Sequence, residues 1–151
     1  MKGKQLRKIY IDTNVLINYC TNQIQDRAAL EYIFRARRKE ILFTSSLALV
    51  QTIANLQTKK KNRKAFDREE TESLINNIVP KLSIIDMSKE DVKKGLSMNN
   101  NDIEDNIHYV LASKLKCDVV LTNNVSDFAK FTSIEKISPK MGLSLLKTKI
   151  K

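Results

Sequence analysis

The stretch from Asp102 to Phe128, DIEDNIHYVLASKLKCDVVLTNNVSDF, decides the fold class, because the hydrophobic period changes within it. In NNNDIEDNIHYVLASKLK (99–116), Ile103, Ile107, Val110 and Leu111 recur at helical spacing and predict one apolar stripe. Asp102 and Asp105, one turn apart, then share a separate face with Asn106 and Tyr109. CDVVLT (117–122) follows as a short run of aliphatic and β-branched residues, which predicts a strand, and the polar TNNVSDF (122–128) ends it. A helix feeding a short, wholly apolar strand is the repeating unit of a parallel sheet, whose strands are buried on both faces.

The same unit recurs in the rest of the chain. KIYID (8–12) reads as a strand and NVLINYC as the helix after it. DRAALEYIFRARRKE (26–40) predicts a helix from Ala29, Leu30, Ile33, Phe34 and Ala36, with cations in its last turn, where they suit the helix dipole. ILFTSS (41–46) predicts a strand ending in a serine cap, and LALVQTIANLQT (47–58) the next helix. After the basic break KKKNRK (59–64), DREETESLINNIV (67–79) opens with acids and stops before Pro80, as a helix does. LSIID (82–86) and SIEKIS (133–138) predict strands, and SKEDVKKGL (88–96) a short helix capped by Ser88. This alternation predicts one α/β domain over 1–151, with a parallel central sheet covered by helices on both faces.

Twenty-seven Lys and Arg against 17 Asp and Glu leave a formal charge of +10, which favours a polyanionic partner; nucleic acid is the natural candidate. No apolar run reaches the ~20 residues that span a bilayer, so no membrane partner and a cytoplasmic location are expected. Cys20 and Cys117 lie far apart without a CxxC pair and read as buried free thiols. With only three glycines there is no glycine-rich phosphate loop. Phosphodiester chemistry would fall to carboxylates with a cation, and to basic side chains.

In open α/β sheets ligands bind at the carboxyl ends of the strands, near the point where strand order reverses. Asp12 ends the first strand, Asp127 follows the strand 117–122, and Asp105 lies on the helix leading into it. Several carboxylates brought together repel unless a hard divalent cation is present; Mg²⁺ and Mn²⁺ take oxygen ligands and activate water for in-line phosphoryl displacement. Each acid also has a simpler reading. Asp12 can cap the first helix, Asp102 and Glu104 can serve the helix dipole, and Asp127 can cap a turn.

At these residues the chain resembles the PIN-domain proteins, a superfamily of metal-dependent ribonucleases that includes many toxins of bacterial toxin–antitoxin pairs. IYIDTNVLINY (9–19) resembles the first family motif, and 102–128 resembles the third and fourth in order and spacing. The resemblance implies a three-layer α/β/α sandwich and an RNA-cleaving enzyme using Mg²⁺ or Mn²⁺. Asp12, Asp105 and Asp127 are carried over as the acidic metal-site residues, and Asn14, Thr122 and Asn124 as polar support. The second family acid usually sits five positions after a serine that follows the second strand; counting from Ser46 reaches Gln51, a neutral amide. An amide can hold a metal-bound water but adds no charge, and Asp102, one turn from Asp105, is the compensating acid. A cognate antitoxin or a second copy is the protein partner implied, seated on the outer faces of 26–40 and 67–79.

Arg37 and Arg38 in RARRK (35–39), with Lys59, Lys60, Lys61, Arg63 and Lys64, are the candidate nucleic-acid contacts. His108, the only histidine, reads as a packing or surface residue. An alternative of another class is a degenerate PIN domain that binds RNA or a protein without cleavage, motivated by Gln51. A flavodoxin-like or response-regulator-like domain also explains the alternation, but does not predict TNNVSDF.

Overall fold

The computed structural model describes residues 8–36, 41–128 and 134–141, the side chains of Asp127 and Met141 excepted. In chain order the elements are β1 (Ile9–Ile11), α1 (Thr13–Cys20), α2 (Ile24–Ala36), β2 (Leu42–Ser45), α3 (Ser46–Leu56) and α4 (Arg68–Ile78). They continue as β3 (Ser83–Ile85), α5 (Lys89–Ser97), α6 (Ile103–Lys114), β4 (Val119–Leu121), α7 (Val125–Phe128) and β5 (Glu135–Ile137). All five strands pair in parallel in the order β3-β2-β1-β4-β5. The chain starts in the middle of the sheet, builds one side through β2 and β3, then returns to build the other. The order therefore reverses between β1 and β4.

Strand alternation assigns the layers. Ile9 and Ile11 of β1, with Val119 and Leu121 of β4, pack on one side against α1, α2 and α3 and against Ile78 of α4. Tyr10, Val120 and Phe43 point the other way, to Ile107, Leu111 and Ala112 of α6 and Val92 of α5. The result is the expected three-layer α/β/α sandwich. Ile11 lies opposite Leu121, and Leu121 opposite Ile137, so these strands end level with one another. Asp12 N then donates to Leu121 O at 3.0 Å and Thr122 N to Ile137 O at 3.0 Å. This places Asp12 and Thr122 side by side at the carboxyl edge, where the order reverses.

Helix starts follow local chemistry. Ser45 and Ser88 cap α3 and α5 from extended backbone, and Asp67 with Glu70 forms a capping box on α4. The α6 segment corrects the expected apolar stripe. The helix begins at Ile103, not at 99, and Ile103 is exposed. Asn106, expected beside the acids, is fully buried. Its Nδ2 donates to the carbonyls of Gly95 (3.1 Å) and Asn100 (3.2 Å), and its Oδ1 accepts from Asn100 Nδ2 (2.9 Å). The side chain staples the α5–α6 connection, which is why a polar residue is tolerated there. α5 approaches so closely that a Cβ at Gly95 would lie 2.5 Å from Ile107 Cγ1, and glycine is required at that contact.

Cys20 and Cys117 are buried free thiols, and burial pushes them up to about 11 and about 12. No helix among the described residues is long and apolar enough to cross a membrane.

Candidate active site

Asp12 caps a helix and also lines a cavity. As N-cap of α1 its Oδ1 accepts from Thr13 N at 2.9 Å. Its Oδ2 accepts from Asn14 Nδ2 and from Thr122 Oγ1, both at 2.8 Å. The carboxylate is almost wholly buried, at 4% exposure, yet it lines a cavity of about 440 Å³ at the carboxyl edge of the sheet. Donors from α1 and from the β4 loop fix its direction.

Asn14 and Thr122 are themselves held by further bonds. Asn14 Oδ1 accepts from Asn123 N at 2.9 Å, and Thr122 Oγ1 accepts from Asn124 N at 3.0 Å. Together they order the turn that leads from β4 into α7. Asn123 Nδ2 in turn donates to Asp26 Oδ2 at 2.6 Å, tying the turn to a buried carboxylate of α2 that sequence reasoning passed over. Asn124 reaches the cavity. Asp127 sits by its backbone in α7, and its side chain lies outside the described residues.

From α6, Asp105 and Glu104 both line the cavity. Asp102 does not. It is the exposed N-cap of the helix, and its Oδ1 accepts from Asp105 N at 3.0 Å. Asp102 is thus placed as a cap, while Glu104, read only as a dipole partner, stands at the cavity wall.

Gln51 lines the cavity from α3. Its Oε1 accepts from Thr13 Oγ1 at 2.7 Å and lies 2.9 Å from His108 Nε2. His108 is buried at 3% exposure, with Nδ1 2.7 Å from the Tyr10 hydroxyl and Nε2 4.0 Å from Asp12 Oδ1. The Tyr10 hydroxyl lies 2.8 Å from Ser45 Oγ. His108 thus packs as expected, but inside the site rather than away from it. Burial lowers its basicity, opposed by the carboxylates of Asp12, Glu104 and Asp102, and the net shift is downward. The phenol of Tyr10 is pushed well above its ordinary range by burial. The available signals were that Tyr10 alternates with Ile9 and Ile11, and that His108 lies one turn before Leu111 and Ala112; both therefore enter the layer between sheet and α6.

The basic residues divide. Lys60 lines the cavity, and Lys59, Lys61 and Lys64 are exposed on the same loop, which is closed by a Lys60–Arg63 bridge. Arg63 is engaged within the chain: Nη1 donates to Leu56 O, and Nη2 to Asn55 O and Oδ1. Its guanidinium also lies over the Phe66 ring. Arg37 and Arg38 lie outside the described residues.

The fold is a three-layer α/β/α sandwich with a buried carboxylate, Asp12, at the point where strand order reverses. The chain belongs to the PIN domain family, which it matches over residues 9–132. It is 26% identical over 127 residues to Ribonuclease VapC1 of Aquifex aeolicus, covering 81% of this chain and 85% of that protein. Among solved structures, a toxin–antitoxin complex from Klebsiella pneumoniae superposes with a TM-score of 0.63 at 17% identity, covering 87% of this chain and 98% of that one. VapC20 of Mycobacterium tuberculosis, described as a Sarcin-Ricin loop cleaving toxin, superposes with a TM-score of 0.63 at 9% identity, covering 85% and 98%. At those identities the structural likeness establishes the fold.

Proposed function

We propose that this protein is a divalent-metal-dependent ribonuclease of the toxin kind, hydrolysing RNA phosphodiester bonds in the cytoplasm and restrained by a cognate antitoxin. The observation that carries the reading is Asp12, a nearly buried carboxylate oriented by Thr13, Asn14 and Thr122 and open to a cavity that Asp105 shares. The family membership, a relative named as a ribonuclease and a structural neighbour in a toxin–antitoxin complex support it.

The donors fit a hard cation. Three carboxylates face the cavity, Asp12 from the end of β1 and Glu104 and Asp105 from α6, and no group of three His, Cys, Asp or Glu forms a ready metal cluster among the described residues. Mg²⁺ commonly binds through one or two carboxylates and keeps several waters, so Asp12 and Asp105 would hold Mg²⁺ or Mn²⁺, with Asp127 as the third acid. The bound cation supplies charge neutralisation at the phosphodiester and activation of water. The chain itself does the positioning. Thr122 and Asn14 keep the Asp12 carboxylate aimed, and Lys60 with Lys59, Lys61 and Lys64 draws the RNA backbone to the cavity mouth.

The test is cleavage of a single-stranded RNA by the purified protein, with EDTA added and then Mg²⁺ or Mn²⁺ restored. Loss and recovery of cleavage are expected. RNA binding with no cleavage under either cation would favour the binding-only alternative.

A further inference from the structure

A chain of hydrogen bonds running under the site decides what Gln51 shows to the cavity. Ser45 is fully buried, and its Oγ already accepts from Ala48 N at 3.0 Å. Among the described residues its own proton has one acceptor in reach, the Tyr10 oxygen at 2.8 Å. Either hydroxyl can donate across this 2.8 Å contact, but with Tyr10 as donor Ser45 Oγ would accept twice and its own buried proton would lose its hydration for nothing; the satisfied arrangement has Ser45 donating to Tyr10. The single Tyr10 proton then goes to His108 Nδ1, 2.7 Å away. The remaining imidazole proton of a neutral His108 therefore sits on Nε2.

An independent feature gives the same answer. Nε2 lies 2.9 Å from Gln51 Oε1, 3.3 Å from Thr13 Oγ1 and 4.0 Å from Asp12 Oδ1; with the Thr13 proton directed to Gln51, all three oxygens present lone pairs that a bare Nε2 would oppose. With Thr13 Oγ1 also donating at 2.7 Å, Gln51 Oε1 is filled by two internal donors. Gln51 lines the cavity, and its amide nitrogen is the polar atom that these internal bonds leave unengaged.

We propose that Gln51 meets the substrate as a donor: its Nε2–H group, held outward by the Ser45–Tyr10–His108 relay, binds a non-bridging oxygen of the RNA phosphodiester, and Gln51 is not a ligand of the cation. This rests on the nuclease reading above. At a position where the family usually carries an acid, an acceptor for metal has become a donor for phosphate. Tyr10 and His108 are positioning residues, and the loss of one negative charge eases the approach of the anion.

Because His108 is the only histidine, a long-range ¹H–¹⁵N correlation spectrum of the labelled wild-type protein reports its tautomer without ambiguity. At pH 7 a protonated Nε2 and a bare Nδ1 are expected; the reverse tautomer, or an imidazolium, would overturn the relay. The second measurement compares wild type with Gln51→Ala for Mn²⁺ affinity by calorimetry and for KM on a short single-stranded oligoribonucleotide. The variant should keep Mn²⁺ affinity within about twofold and raise KM about tenfold, the scale of a hydrogen bond to a charged group. A tenfold loss of Mn²⁺ affinity with unchanged KM would contradict the proposal. If wild type cuts no RNA, the nuclease reading fails, but the tautomer and the dissociation constant for the same oligoribonucleotide still decide the orientation of Gln51. An unchanged constant in Gln51→Ala would then refute it.

Discussion

The N-termini of α1 and α6 begin in the same way and end in different work. Each is capped by an aspartate from extended backbone, Asp12 accepting from Thr13 N and Asp102 from Asp105 N. Asp12 lies at the carboxyl edge of a central strand, is 4% exposed, and takes two further donors from Asn14 and Thr122. Asp102 ends an exposed loop, and its carboxylate takes up no side of the cavity. The lesson is that capping a helix and lining the cavity are not alternatives for one carboxylate. Which of them matters is set by where the sheet places the helix start, not by the local motif.

The sharpest way to break this contrast is to neutralise both caps. Asp12→Asn keeps an oxygen for Thr13 N but removes the charge, and RNA cleavage should fall by ~10²-fold or more with the circular-dichroism spectrum unchanged. Next in size is the staple behind α6. Asn106→Ala removes three buried hydrogen bonds and should destabilise the fold by about 2–4 kcal/mol in urea unfolding. Asp102→Ala should cost about 1 kcal/mol of stability and change cleavage by less than about threefold, with Asp102→Ser restoring the stability. Rescue by serine separates a cap from a metal ligand, which serine would not replace.

The smallest effect concerns pH. Burial raises the basicity of Asp91, but the backbone and side chain of Ser88 and the ammonium of Lys114 outweigh it and leave its carboxyl below the usual range. Its folded-state pKa is thus depressed, so its contribution is present above the unfolded value, about 4, and is lost as pH falls through the folded value. Asp91→Asn should flatten the stability profile below about pH 4 and leave the neutral region nearly level.

The fold was legible because short apolar strands alternate with helices whose caps are written in single residues, such as Ser45, Asp67 and Ser88. Asp12, Asn14, Thr122 and Asp105 were legible for the same reason: they sit at strand ends or on the helix feeding β4, positions that a parallel sheet must align. What escaped was whatever depends on which side of α6 faces inward. Ile103 fits the apolar spacing but precedes the first turn that α5 covers, so it is exposed, while the polar Asn106 and His108 are buried because each finds partners on another element. Arg63 looked like a phosphate contact by composition, and only the path of the loop shows it returning to the end of α3. Periodicity records hydrophobicity, and these side chains are placed by hydrogen bonds.

The central claim is that Asp12 anchors a cation site at the edge where strand order reverses. Calorimetric titration of Mn²⁺ into wild type and Asp12→Asn, each checked for folding, tests it most directly. Saturable binding in wild type that is lost in Asp12→Asn is the predicted result, and equal affinity in the two proteins would contradict it.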